Sequence, residues 1–308
     1  MSEPENWERA AIEKIALSSL QEHRRSRRWG IFFKSLAFIY LFALLFMATD
    51  WFGAGSYSGP HTAIIDIRGE IGDGDAVNAE DTVASLQSAF DNKNTKGIIL
   101  RINSPGGSPV QAGIINDEIT RLRKLHPKVP IYAVVEDICA SGGYYIAVAA
   151  DKIYVDKASI VGSIGVLMDG FGFTGTMQKF GVERRLMTAG SNKGMLDPFS
   201  PVNPKQKVYA QQMLDDIHQQ FIDTVRQGRG ERLKETPEIF SGLFWTGEKS
   251  IELGLADGLG STDSVARDVI KEENLVDFTT HEGFADRVAK HFGASAVHAL
   301  LGTPFSLH

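Results

Sequence analysis

Cysteine is almost absent from this chain. Cys139 is the one thiol in 308 residues, which excludes an internal disulfide framework and leaves the redox compartment open. Histidine is present but badly placed for catalysis. None of His23, His61, His126, His218, His281, His291, His298 and His308 stands in a recognisable triad context. A surplus of positive charge is also missing. The net charge is −6, and the residues after Lys34 sum to −8. An acidic main domain argues against nucleic acid as the partner. No internal repeat is evident.

One long apolar stretch stands out. From Leu36 to Ala48 there is no charge, and Leu, Phe, Ala and Ile dominate. Extended to Trp29 and Phe52, the segment reaches the ~20 residues that a helix needs to cross a bilayer. Trp29, Trp51 and Phe52 fall where interfacial aromatics sit, and Lys34 near one end can snorkel to the headgroups. Arg24, Arg25, Arg27 and Arg28 precede the segment and Asp50 follows it. This asymmetry predicts a cytoplasmic N-terminus and a domain on the outer side of a cytoplasmic membrane. The alternative is a cleaved secretory signal with a site at Ala54-Gly55-Ser56. The long charged region before the apolar stretch, and the length of that stretch, favour an uncleaved anchor. The expected organisation is a cytoplasmic segment (1–28), an anchor (29–52), a Gly/Ser-rich linker (53–60), a main domain (61–273) and a tail (274–308) that could form an amphipathic helix.

In the main domain, apolar runs at 62–67, 97–102, 131–135 and 153–155 read as strands. Val182 to Met187 reads as a further, polar strand. Helical periodicity appears over 82–90, at Ile115, Ile119 and Leu122, and in 204–226, where Ala210, Leu214, Ile217, Phe221 and Val225 fall on one face. Gly72-Asp73-Gly74-Asp75 lacks the remaining ligands of a calcium loop and reads as a turn. Strands alternating with helices predict an α/β domain with a largely parallel sheet.

Two strand-to-helix turns carry the chemistry: Ser104-Pro105-Gly106-Gly107 and Ala140-Ser141-Gly142-Gly143. In a parallel sheet both lie at the carboxyl ends of strands, where α/β proteins bind ligands. Glycine there permits close backbone approach. The N–H groups of Gly107 and Gly142 are candidates for an oxyanion hole, and Ser141 for a nucleophile. With no suitable histidine, lysine is the remaining common base. An amine serves that role once burial lowers its pKa from ~10.4 to roughly 7–8. Lys193, in Gly190-Ser191-Asn192-Lys193-Gly194-Met195-Leu196-Asp197-Pro198-Phe199, is the candidate, although a solvated loop lysine is the default for such a segment. Ser163, in Val161-Gly162-Ser163-Ile164-Gly165-Val166, offers a hydroxyl that could orient a neutral amine, or is an ordinary turn serine.

Taken together, Arg101 to Gly107, Ala140 to Tyr145, Gly162 to Val166, the Lys193 loop, Trp245-Thr246-Gly247 and Gly254-Leu255-Ala256-Asp257 resemble the signal peptide peptidase family in its short, membrane-anchored form. The ordered set covers about Thr62 to Val269. The resemblance implies a crotonase-like (Clp protease-like) α/β domain of ββα units and a Ser-Lys dyad, with Ser141 as nucleophile and Lys193 as general base. It also implies that Ser163 hydrogen-bonds the lysine, and that Gly107 and Gly142 donate to the oxyanion. No metal or organic cofactor is implied. The implied partners are signal-peptide remnants and other unstructured apolar peptides, the lipid bilayer, and further copies of the chain in a ring whose sites can combine serine and lysine from neighbouring protomers. The tail after Asn274 matches no family motif. Two other readings share part of this pattern: a catalytically inactive membrane scaffold, and a crotonase-type acyl-CoA enzyme, which would need acidic catalysts and a CoA pocket.

Overall fold

The computed structural model describes residues 12–14, 24–25, 27–43 and 59–280. The chain divides into two units, Tyr57–His281 and the residues outside it. In the latter, helix α1 (residues 27–43) exposes its apolar side chains, and Trp29, Phe32 and Phe33 form a ring cluster with centroids 5.7 Å apart. Among the described residues no helix is long and apolar enough to cross a membrane. Residues 44–52 of the expected anchor lie outside the described residues, as does the tail from 281 on.

The larger unit is built on one sheet. Strands β1 (His61–Arg68), β2 (Thr95–Ser104) and β3 (Ile131–Ala140) are parallel neighbours, with Ile64 beside Ile99, Ile98 beside Ile131, and Ile102 beside Val135. These β-branched runs lack polar alternation because both faces of the sheet are covered. Helices α2 (Ala79–Asp91) and α3 (Pro109–Leu125) cover one face, where Leu86, Phe90, Ile115 and Ile119 meet Ile65, Ile67, Leu100 and Ile102 in the main core. On the other face Val265 and Ala266, from a π-helical turn (Val265–Ile270), pack on Ile99 and Val134. Both helices start as their sequences dictate. Asn78 Oδ1 accepts from Asp81 N at 2.9 Å, and Pro109 follows the Ser108 cap.

Strand β3 runs further than its apolar start implies and changes partner along one edge. Tyr132 to Val134 pair with β4 (Lys152–Val155), whereas Ile138 to Ala140 pair with β5 (Ile160–Gly162). The second half carries β3 out to Ser141. Strand β6 (Phe244–Thr246) adds to β5 as the one antiparallel pairing among the described residues, β7 (Gly258–Leu259) follows β4, and β8 (Leu275–Asp277) closes the far edge beside β1. The largely parallel α/β sheet is therefore present.

Two local expectations differ from what is observed. Val182–Met187 is not a strand. Its residues are exposed, and no neighbouring strand edge takes up their backbone groups. The stretch after Glu273 begins with β8, and Phe278 packs against the core, so the sheet extends past the expected domain boundary.

Helix α6 (Pro204–Arg229) lies over α4 (Gly142–Ala147). A Cβ on Gly228 would meet Val148 O at 2.3 Å, so this approach needs glycine. The helix ends in a buried ion pair. Arg229, 1% exposed, gives Nη1 and Nη2 to Asp257 at 2.8 and 3.0 Å, and Nε to Gly254 O at 2.8 Å. Burial would raise the Asp257 carboxyl, but the Arg229 hydrogen bond, the Ile153 N–H and the neighbouring charges outweigh it and hold the group below the usual carboxylate range.

Candidate active site

The two glycine turns meet at the carboxyl ends of β2 and β3. Ser104 Oγ donates to Gly69 O at 2.6 Å and accepts from Gly106 N at 3.2 Å. Ile71 N donates to Gly106 O at 2.9 Å, and Ser108 N donates to Ile71 O at 2.7 Å. The turn is thus stitched to the chain leaving β1. Gly106 and Gly107 have φ of 106° and 144°. A Cβ on Gly107 would lie 2.1 Å from Ile71 O, so no side chain fits there.

Ser141 joins β3 to α4 with φ 50° and ψ −122°, a conformation that L-residues avoid. Its N–H donates to Gly162 O at 2.9 Å and its carbonyl accepts from Tyr145 N at 2.9 Å, so both sides of the strained residue are pinned. Sharp strand-to-helix turns of this kind push a nucleophile out of the sheet. Gly142 follows. The position of a Cβ on it lies 3.3 Å from Gly107 N, which brings the two turns into contact. Among the described residues neither the Gly107 nor the Gly142 N–H donates a hydrogen bond. Two unused N–H groups beside a strained serine are what stabilisation of a developing oxyanion requires.

These groups open onto a cleft of about 630 Å³. Ser141, Gly107, Gly142 and Ser163 all line it, with walls from Tyr145, Val166, Leu167, Ile217, Phe221 and Phe244. Ser163, at the end of β5, also holds positive φ, 52°, and its N–H donates to Leu243 O at 2.8 Å. No histidine lines the cleft among the described residues. His218 on α6 places Nε2 3.1 Å from Ile164 O, and since a carbonyl only accepts, that nitrogen carries its proton.

Lys193 is not among the residues lining the cleft. It is exposed, on a run of tight turns in which Lys193 N donates to Gly190 O, Met195 N to Asn192 O and Asp197 N to Gly194 O. This run belongs to an arm between β5 and α6 that includes α5 (Thr174–Lys179). The arm has its own small packing unit. Phe173 stacks on Phe199 at 5.4 Å, Arg184 lies over the same Phe199 ring at 5.7 Å, and Asp197 accepts from Ser200 Oγ at 2.6 Å. The Ser200 hydroxyl, with a backbone N–H and Arg184, holds the Asp197 carboxyl below its ordinary range. The arm exposes Leu167, Phe180 and Met187, at 81, 79 and 94%.

The structure therefore gathers Ser141, Gly107, Gly142 and Ser163 in one cleft and leaves Lys193 outside it in the single chain. Sequence reasoning did not identify the cleft walls. Ile217 and Phe221 were visible as members of the apolar face of α6, but Ser241, Gly242 and Phe244 carried no signal. Among the described residues no group of His, Cys, Asp and Glu side chains could hold a metal ion.

Residues 123–276 match the model of peptidase family S49. The chain is 30% identical over 205 residues to the putative signal peptide peptidase SppA of Enterococcus faecium, covering 67% of this chain and 59% of that protein. It is 33% identical over 219 residues to protease 4 of Haemophilus influenzae, covering 70% of this chain and 34% of the relative. It is also 47% identical over 186 residues to a Brucella abortus protein named Na(+)/H(+) antiporter NhaA, covering 60% of this chain and 25% of that protein. The chain thus spans a quarter to three fifths of the length of these relatives. The strand-to-helix turns and the cleft they frame lie in a chain that belongs to peptidase family S49.

Proposed function

We propose that this chain is a membrane-anchored serine endopeptidase, in a crotonase-like fold, that hydrolyses signal-peptide remnants and other unstructured apolar peptides. The observation that carries this reading is Ser141, strained at φ 50° beside the unused N–H groups of Gly107 and Gly142 in an apolar-walled cleft. Neutral Lys193 takes the proton from Ser141 Oγ as the oxygen attacks the scissile carbonyl. The Gly107 and Gly142 N–H groups hold the oxyanion, and loss of one such donor typically costs ~10²–10³ in rate. Collapse of the tetrahedral species breaks the C–N bond, and protonated Lys193 passes its proton to the leaving amine. Water then hydrolyses the acyl-enzyme by the same route. Ser163 keeps the amine oriented.

The exposed position of Lys193 supports a site shared between chains. The apolar arm that carries it packs on a neighbouring copy in a ring and delivers the lysine to that neighbour's Ser141. The segment 29–52 anchors the chain in the cytoplasmic membrane with the cleft on the outer side, where released signal peptides are at hand.

The same exposed lysine would suit an inactive scaffold, and labelling separates the two. A fluorophosphonate reagent applied to the full chain in detergent is expected to modify wild-type protein at Ser141 and to leave Ser141→Ala and Lys193→Ala unmodified. Absence of labelling in wild-type protein from pH 6 to 10 would favour the scaffold.

A further inference from the structure

Among the described residues lining the cleft, Glu70 is the one charged group. It is exposed, and among the described residues it makes no ion pair. Arg68, two residues earlier, is already engaged with Asp66 at 3.2 Å and Glu136 at 2.7 Å. The backbone on both sides of Glu70 is fixed to the turn that carries the Gly107 amide. Gly69 N donates to Asn103 O at 3.0 Å and Gly69 O accepts from Ser104 Oγ, while Ile71 is bonded to Gly106 O and Ser108 N. The backbone that carries the carboxylate is thus held in place beside the cleft, and the exposed side chain is left to reach a ligand.

We infer that Glu70 is a specificity-determining residue that selects peptides carrying a lysine or arginine beside the apolar stretch taken up by the cleft. This rests on the peptidase reading above. The aliphatic and aromatic walls accept apolar side chains by burial and cannot tell one charge from another. Glu70 supplies that distinction by attracting a cationic side chain and repelling an acidic one. An exposed charge pair of this kind gives a preference of about 1.4-fold to fivefold over a neutral side chain, weakened by salt. Glu70 facing an incoming Lys193 of a neighbouring copy is the competing arrangement. It would stabilise the ammonium form and work against a general base.

The test uses the full-length protein in detergent and three series of internally quenched apolar peptides. The series place Arg, Gln or Glu in turn at each position around the cleaved bond. Wild-type protein is expected to show a kcat/KM ratio of Arg to Glu peptides between about 2-fold and 25-fold at one position at low salt. Glu70→Gln should bring that ratio close to one, and Glu70→Lys should invert it. The same peptides are titrated by fluorescence anisotropy against Ser141→Ala and Ser141→Ala/Glu70→Gln, so that binding ratios report on Glu70 without turnover. An Arg-to-Glu ratio unchanged by Glu70→Gln in both assays would overturn the inference. So would a shift of the acidic limb of the pH–rate profile, the limb set by deprotonation of the lysine, with the ratio intact, since that places Glu70 against Lys193. Failure of the dyad itself reads differently: Lys193→Ala would then cleave the Gln peptides like wild-type protein, whatever Glu70 does.

Discussion

Gly106 lies so close to Ser141 that a Cβ built on the glycine would stand 2.6 Å from the Cβ of the serine. The same atom would meet Gly142 N at 2.8 Å and Ala140 O at 2.9 Å. The contact is with backbone and a β-carbon, neither of which can swing aside. Gly106→Ala is therefore expected to push the two turns apart and displace the Gly142 amide. Peptide cleavage should fall by ~10²-fold or more. Stability should fall by about 1–3 kcal/mol, because φ of 106° is also strained for alanine. Denaturant unfolding alongside kcat/KM checks both effects.

Ser141 itself stores strain. At φ 50° and ψ −122° glycine is at ease and alanine is not. Both Ser141→Ala and Ser141→Gly should be inactive. The glycine variant should be more stable than the alanine variant by about 1 kcal/mol, the reverse of their order in a helix. Urea midpoints of the two proteins give the comparison directly.

Much of this arrangement is legible in the sequence, and the parts that are not have physical reasons. The starts of β1, β2 and β3 are apolar on both faces and announce themselves. The second half of β3 does not, because Glu136 and Asp137 interrupt the pattern. Both are strand residues whose carboxylates meet Arg68 and Asn103 across the sheet. Strand β8 has three residues and exists through the edge of β1, which no local pattern encodes. Val182–Met187 has the residues of a strand and no neighbour to pair with. Ser141, Gly107 and Gly142 can be joined from the sequence because each follows an expected strand of one sheet, whereas Ser163 joins them through the family resemblance alone, since the three-residue β5 before it leaves no clear pattern. The separation of Lys193 from them follows from the path of the arm, which the order of motifs along the chain does not contain.

Asp257 and Arg229 make stability depend on acid. The carboxyl of Asp257 is held below its unfolded value. Its contribution is therefore complete above about pH 4 and is lost as pH falls through the lower folded value. Asp257→Asn leaves the buried guanidinium of Arg229 without a counter-charge and should cost about 3–5 kcal/mol at pH 7. Below pH 3 the difference between variant and wild type should shrink. Denaturant midpoints at pH 7 and pH 2.5 test the sign.

The arm should control assembly. Met187 and Phe180 are among its most exposed apolar side chains. Placing a carboxylate at each, in Phe180→Asp/Met187→Asp, should dissociate the oligomer without unfolding Tyr57–His281. Sedimentation in detergent should report smaller particles with an unchanged circular dichroism spectrum, and peptide cleavage should disappear with assembly.

The central claim is that one site is completed by Ser141 of one chain and Lys193 of another. Mixing two inactive full-length proteins, Ser141→Ala and Lys193→Ala, tests it most directly. After co-assembly, each ring contact that joins an intact serine to an intact lysine is a working site. Random mixing at equal amounts should restore about a quarter of the wild-type sites, read by fluorophosphonate labelling and peptide cleavage. Verified mixed oligomers that stay inactive at every ratio would contradict the account.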